Sequence, residues 1–142
     1  MTRGELNVST SLVDDEGVDL VFHRRGSTAT LAVQVKGRTS SSKRVASGGF
    51  VAFVWSQTFQ PRADLAMLFV AVDSDTAAIM HCWMVPSLEY AAVLGKPNSR
   101  GRYRFGASAK PDSADRWRPY RLTPAELPVR IMDRLAELET AP

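Results

Sequence analysis

Two apolar runs, residues 65–72 (LAMLFVAV) and 76–85 (TAAIMHCWMV), lie three residues apart in the middle of this chain. Each is far short of the roughly 18 residues that a membrane-spanning helix needs. Neither alternates with polar residues, so both read as strands buried on two faces rather than one. Asp73, Ser74 and Asp75 between them are hairpin-turn residues, because short polar side chains bond their own backbone in turns.

What surrounds that hairpin follows from the rest of the chain. Residues 5–13 alternate, with Leu6, Val8, Thr10 and Leu12 on one side, and a polar knot, Asp14-Asp15-Glu16-Gly17, ends the run. Residues 18–22 and 29–35 are further strands around a turn at residues 24–28, and 50–55 is a strand or a helical turn. The segment 38–49 (RTSSSKRVASGG) is Ser-rich and basic and reads as a mobile loop. A helix over 88–94 ends at Gly95, and 102–105 is a short basic strand. The clearest helix is C-terminal: Thr123 caps it, Pro124 opens it, Glu126 completes a capping box, and Leu127, Ile131, Leu135 and Leu138 share a face. Pro128 is expected to kink or restart it one turn in. Strands followed by strands with helices indicate an α/β or α+β domain around a mixed sheet.

At 142 residues this is a single domain over residues 1–142, able to bury about 70% of its unfolded surface. Its 44% hydrophobic and 23% charged content excludes a disordered or fibrous chain. The lone Cys82 forms no internal disulfide, and MTRGELNVST has no signal-peptide core, so a cytoplasmic protein without a membrane segment is expected.

Charge is unevenly placed. Residues 22–61 hold six basic residues and no acid, and residues 96–121 hold eight basic residues against Asp112 and Asp115. Two such tracts form an electrostatic footprint for phosphate, or else a solvated surface. Arg24, Arg25, Arg38, Lys43, Arg100, Arg102, Arg104 and Arg118 are the expected phosphate contacts. Fourteen of the 18 basic residues are Arg, which suits bidentate phosphate contacts but also a GC-rich genome.

Within this frame one constellation carries chemistry. A turn closed by Arg24 and Ala29 pairs residues whose numbers add to 53. Asp19 then faces Gln34, with Lys36 two residues on along the same side. The opposite side, Val18, Leu20 and Phe22 with Leu31, Val33 and Val35, is wholly apolar. Three polar residues thus converge on one face.

That arrangement, GVD on one strand and VQVKGR on the next, resembles the PD-(D/E)XK, or restriction-endonuclease-like, superfamily, in the Gln-x-Lys form similar to Mrr-type domains. The resemblance covers residues 17–37. It implies a central mixed β-sheet flanked by helices and hydrolysis of phosphodiester bonds in DNA, or RNA, with Mg²⁺ or Mn²⁺. By position it implies Asp19 and Gln34 at the metal and Lys36 as catalytic lysine. Family members usually begin with a helix that supplies a further acid; here either Glu5 stands in as the metal ligand or that helix is missing. Such a site needs a carboxylate to hold the cation, acidified water, and a lysine to stabilise charge. The alternative is a catalytically degenerate module of the same fold that binds nucleic acid or a protein partner in a defence or repair system. A homodimer is compatible with either.

Other polar residues read as structural. His81 and Cys82 sit in an apolar run and suit a satisfied core histidine and a buried thiol. His23 falls at the turn, and neither histidine has partners at zinc spacing. Trp117 and Tyr120 alternate with Arg116, Arg118 and Arg121, which suits base stacking or an Arg-laced loop covering the sheet. Ser108 and Ser113 lack any serine-hydrolase context.

Overall fold

The continuous apolar runs of the middle third place strands at the centre and push helices outward. A computed structural model describes residues 4–10 and 17–140. Eight strands are present there: β1 (Leu6–Thr10), β2 (Leu20–Arg24), β3 (Thr30–Thr39), β4 (Gly49–Trp55), β5 (Leu65–Val72), β6 (Ile79–Pro86), β7 (Arg102–Ser108) and β8 (Arg121–Leu122). Three helices, α1 (Lys43–Ala46), α2 (Ser87–Ala92) and α3 (Glu126–Thr140), join them, with one 3-10 turn at Arg118–Tyr120. Six strands form a mixed sheet in the order β1-β2-β3-β5-β6-β8, and β4 pairs with β7 as a separate ribbon. This is a mixed α/β fold.

β5 and the second half of β6 are buried on both faces, whereas residues 76–80, expected to belong to the same buried run, are exposed, Met80 by 42%. Met67, Phe69 and Ala71 of β5, with Trp83 and Val85 of β6, join a core with Phe50, Ala52, Val54 and Phe105 of the ribbon. Phe69 stacks flat on Phe105, ring centroids 3.7 Å apart. Ala66, Leu68 and Val70, with Cys82 and Met84, pack instead against Leu127, Ile131 and Leu135 of α3. Burying each of those three helix residues contributes about 1.5–3 kcal/mol. One flank of the sheet is therefore a helix and the other chiefly a strand ribbon, where helices were expected on both. The reason is period two: in GFVAFVW, Phe50, Ala52 and Val54 point inward while Val51, Phe53 and Trp55 do not.

Three local expectations change. The segment 38–49 is not a loop: β3 runs on to Thr39 and α1 follows, because Val45, 6% exposed, reaches the aromatic core and pins that turn. Pro128 leaves α3 unbroken, since it sits in the first turn, where a backbone N–H has no intrahelical partner to lose. The expected capping box is formed: Glu126 N–H donates to Thr123 Oγ1 at 3.3 Å, and Thr123 N–H donates to Glu126 Oε1 at 2.9 Å. At the β5–β6 turn, Asp73 Oδ1 accepts the N–H groups of Asp75 and Thr76. No helix among the described residues is long and apolar enough to cross a membrane.

Candidate functional site

The β2–β3 register is the one expected from the turn: Leu20 pairs with Val33, Val21 with Ala32, Phe22 with Leu31 and His23 with Thr30. On its other edge β3 pairs in parallel with β5, so Gln34 lies beside Met67 and Lys36 beside Phe69. Both side chains therefore share the sheet face that carries the ribbon.

At Asp19 the ladder departs from the simple pattern. Its N–H donates to Val33 O at 2.9 Å, and its Oδ2 accepts the Val35 N–H at 2.6 Å. The carboxylate substitutes for the ladder carbonyl that β2, starting only at Leu20, does not supply. Asp19 thus does not stand on the face directly opposite Gln34. It lies along the exposed edge of β3, bonded to the residue between Gln34 and Lys36. The same break moves Val18, expected beside Leu20 and Phe22, to the other face, where it packs with Ala32, Leu65 and Val21.

Gln34 is only 4% exposed, and its Oε1 is buried with no hydrogen-bond partner among the described residues. Gly17 makes room for its amide. At φ +71°, a Cβ there would stand 2.8 Å from Thr58 O and 3.4 Å from Gln34 Nε2. Lys36 is half-buried. The site thus offers an anionic oxygen, a neutral carbonyl oxygen without a donor, and an ammonium group along one strand. Hard oxygen donors of this kind suit Mg²⁺ or Mn²⁺, which are commonly held by one or two protein oxygens together with waters and phosphate.

Glu5 does not join them. Leu6 pairs with Arg24 and Thr10 with Leu20, so Glu5 and Asp19 flank opposite ends of the β1–β2 pair. At about 3.3 Å per residue the two are more than about 13 Å apart. Asp14, Asp15 and Glu16 lie outside the described residues. Among those described, no group of three or more His, Cys, Asp or Glu side chains gathers as a metal site.

The basic residues scatter. Arg24 and Arg25 sit at the far end of β2 in a recess shared with Glu139. Arg38 donates Nε–H to Val51 O and Nη1–H to Gly37 O, and Lys43 and Arg100 are exposed. Arg118 is engaged internally, its Nη1 donating to Pro111 O at 2.6 Å and Ser113 O at 2.7 Å. Trp117 is buried against Tyr90 and Phe105, so the Trp–Arg segment covers the core. Arg102 and Arg104 project from β7 beside Phe53 and Trp55 of β4, a grouping that sequence reasoning missed. Its only signal was the alternation of Val51, Phe53 and Trp55, and their partner strand lies some fifty residues away.

Cys82 is the buried thiol expected, but His81 is not a satisfied core histidine: it is half-buried, and its Nε2 is buried with no hydrogen-bond partner among the described residues. Burial, then the Arg121 charge, holds the His81 pKa below its ordinary value, and its ring meets Trp83 edge-on. Burial, then Glu126, pushes the Cys82 thiol up to about 11. No protein-family model matches the chain, and neither the curated proteins nor the solved structures contain a significant match.

Proposed function

We propose that this chain is a divalent-metal-dependent nuclease acting on phosphodiester bonds, in DNA ahead of RNA. The observation that carries this reading is the Asp19 carboxylate bonded to Val35 N–H, between Gln34 and Lys36. Asp19 and Gln34 would hold the cation, which when bound would supply an acidified water and neutralise charge on a phosphate oxygen. The Val35 bond fixes Asp19 before any ligand arrives, and burial fixes Gln34, so little ordering is left for binding to cost. Lys36, on the same face, stabilises the negative charge that builds on phosphorus or orients the attacking water.

The structure dictates which variants test this. Asp19→Ala strips a backbone N–H of its acceptor, whereas Asp19→Asn keeps an oxygen for Val35 and removes only the charge. Asp19→Asn and Lys36→Ala should each abolish Mg²⁺-dependent cleavage while unfolding stays cooperative. An active Lys36→Ala protein overturns the role of that lysine, and cleavage unaffected by chelator overturns the metal.

The position of Glu5, far from Asp19, favours one second reading: a module of the same site geometry that binds nucleic acid or a protein partner without cutting. It predicts DNA bound but intact at every Mg²⁺ or Mn²⁺ concentration, and no rise in the unfolding midpoint with metal.

A further inference from the structure

We infer that the outward face of the β4–β7 ribbon is a stacking platform for single-stranded nucleic acid, an inference that deepens the nucleic-acid reading above and rests on it. Register places Val51 opposite Gly106, Phe53 opposite Arg104 and Trp55 opposite Arg102. Their neighbours Phe50, Ala52, Val54 and Phe105 turn into the core, so this row faces outward along about 14 Å. Trp55 is 49% exposed. The Arg102 guanidinium lies over the Phe53 ring at 4.7 Å and the Trp55 ring at 5.6 Å, which holds both aromatics in place.

At the other end of the ribbon the row opens into a cleft of about 450 Å³ that carries Arg44, Arg104 and Lys110. Each of these cations lies against a glycine. A Cβ on Gly49 would stand 3.0 Å from Arg44 Cδ, one on Gly48 would stand 3.2 Å from Lys110 Cε, and one on Gly106 would collide with the Arg104 guanidinium. The cleft's acid, Asp115, is already occupied: Oδ2 accepts Ser108 N–H at 2.8 Å and Oδ1 accepts Trp117 N–H at 2.9 Å. None of the ion pairs among the described residues involves the three cations.

Three cations outside every ion pair among the described residues, beside the half-buried Phe53 and the exposed Trp55, fit a polyanion with flat faces of its own. An acidic peptide supplies the charge without the rings, and a duplex keeps its bases stacked on one another. A single strand supplies both, through phosphates in the cleft and bases on Phe53 and Trp55. The platform's contacts, ring faces to bases and cations to phosphates, are common to DNA and RNA, so deoxyribose and ribose strands should both bind. Arg38, two residues beyond Lys36, donates to Val51 O, so the platform adjoins the β3 site.

The test uses the intact chain in chelator at low salt, with labelled oligo(dT) and oligo(rU) of roughly 15 nucleotides and a duplex of equal length. Both single strands should bind with similar affinity and the duplex more weakly. Trp55→Ala and Phe53→Ala should each weaken oligo(dT) binding about tenfold. Trp55→Phe should keep affinity but lose most of the tryptophan quenching, because Trp83 and Trp117 are buried. Undiminished binding by Trp55→Ala, preference for duplex, binding of only one sugar type, or quenching retained in Trp55→Phe would overturn the platform. Platform variants that behave as expected in a protein that never cleaves would remove only the nuclease, and cleavage with unaffected platform variants would remove only the platform.

Discussion

Gly17 and Cys82 show how much a single position determines. Gly17 holds φ +71°, where a side chain costs about 1–2 kcal/mol, and its missing Cβ leaves room for Thr58 O and the Gln34 amide. Gly17→Ala should therefore lower stability by at least about 1–2 kcal/mol in urea unfolding and displace Gln34, with loss of any metal response. Unchanged stability would show that the loop accommodates the methyl group by moving. Cys82 differs in kind, since its value lies in being hidden. With the thiol pushed up to about 11, it is almost wholly protonated at pH 8. A disulfide reagent should leave it untouched at that pH until denaturant is added, and rapid labelling of the folded protein would contradict its burial.

At the scale of an element, α3 depends on its start and on one face. The capping box predicts that Thr123→Ala costs about 1 kcal/mol. Leu135, fully buried under the sheet, should cost about 2–5 kcal/mol when cut to Ala. The cap is also pH-dependent. Backbone and side-chain bonds to Thr123 hold the Glu126 carboxyl below its usual pKa of 4.5, so the folded state binds fewer protons than the unfolded one in acid. Its stabilisation is complete above that unfolded value and is lost as pH falls through the lower folded one. Glu126→Gln removes the titrating group and should therefore flatten stability against pH in that window, measured by urea midpoints, while leaving the neutral-to-alkaline profile parallel to the parent's. Thr123→Ala keeps the backbone N–H that donates to Glu126 and should flatten it less. A parallel acid limb would mean that the box contributes nothing there.

For the whole molecule, the distribution of charge sets the expected behaviour with polyanions. Two recesses gather cations in separate places: Arg24 and Arg25 at one sheet end, and Arg44, Arg104 and Lys110 in the ribbon cleft. Only the second adjoins both aromatics and the β3 site. Affinity for oligo(dT) should fall linearly with salt on logarithmic axes, at about 0.7 per phosphate neutralised on a single strand. Arg44→Ala and Lys110→Ala should each reduce that slope, and Arg24→Ala should not. A salt slope governed by Arg24 and Arg25 would relocate the nucleic-acid surface to the β2–β3 turn.

Much of the local architecture was written in neighbouring residues. The β5–β6 hairpin, the β2–β3 register and the capping box at Thr123 each rest on spacings of a few residues, and such spacings fix strand faces and helix starts without distant partners. Tertiary structure decided the remainder. Asp19 left the face shared by Gln34 and Lys36 because β2 begins one residue after it, and the exposed Val35 N–H then claimed its carboxylate. Segment 38–49 became strand and helix because Val45 found an aromatic core assembled from β4, β5, β6 and β7. Glu5 and Asp19 were parted by the antiparallel run of β1 along β2. Phe53 and Trp55 met Arg104 and Arg102 only through a pairing that spans some fifty residues. Side-chain periodicity says which face a residue occupies, but which strand lies beside it is a contest among all the burials the chain can make, and only the folded whole resolves it.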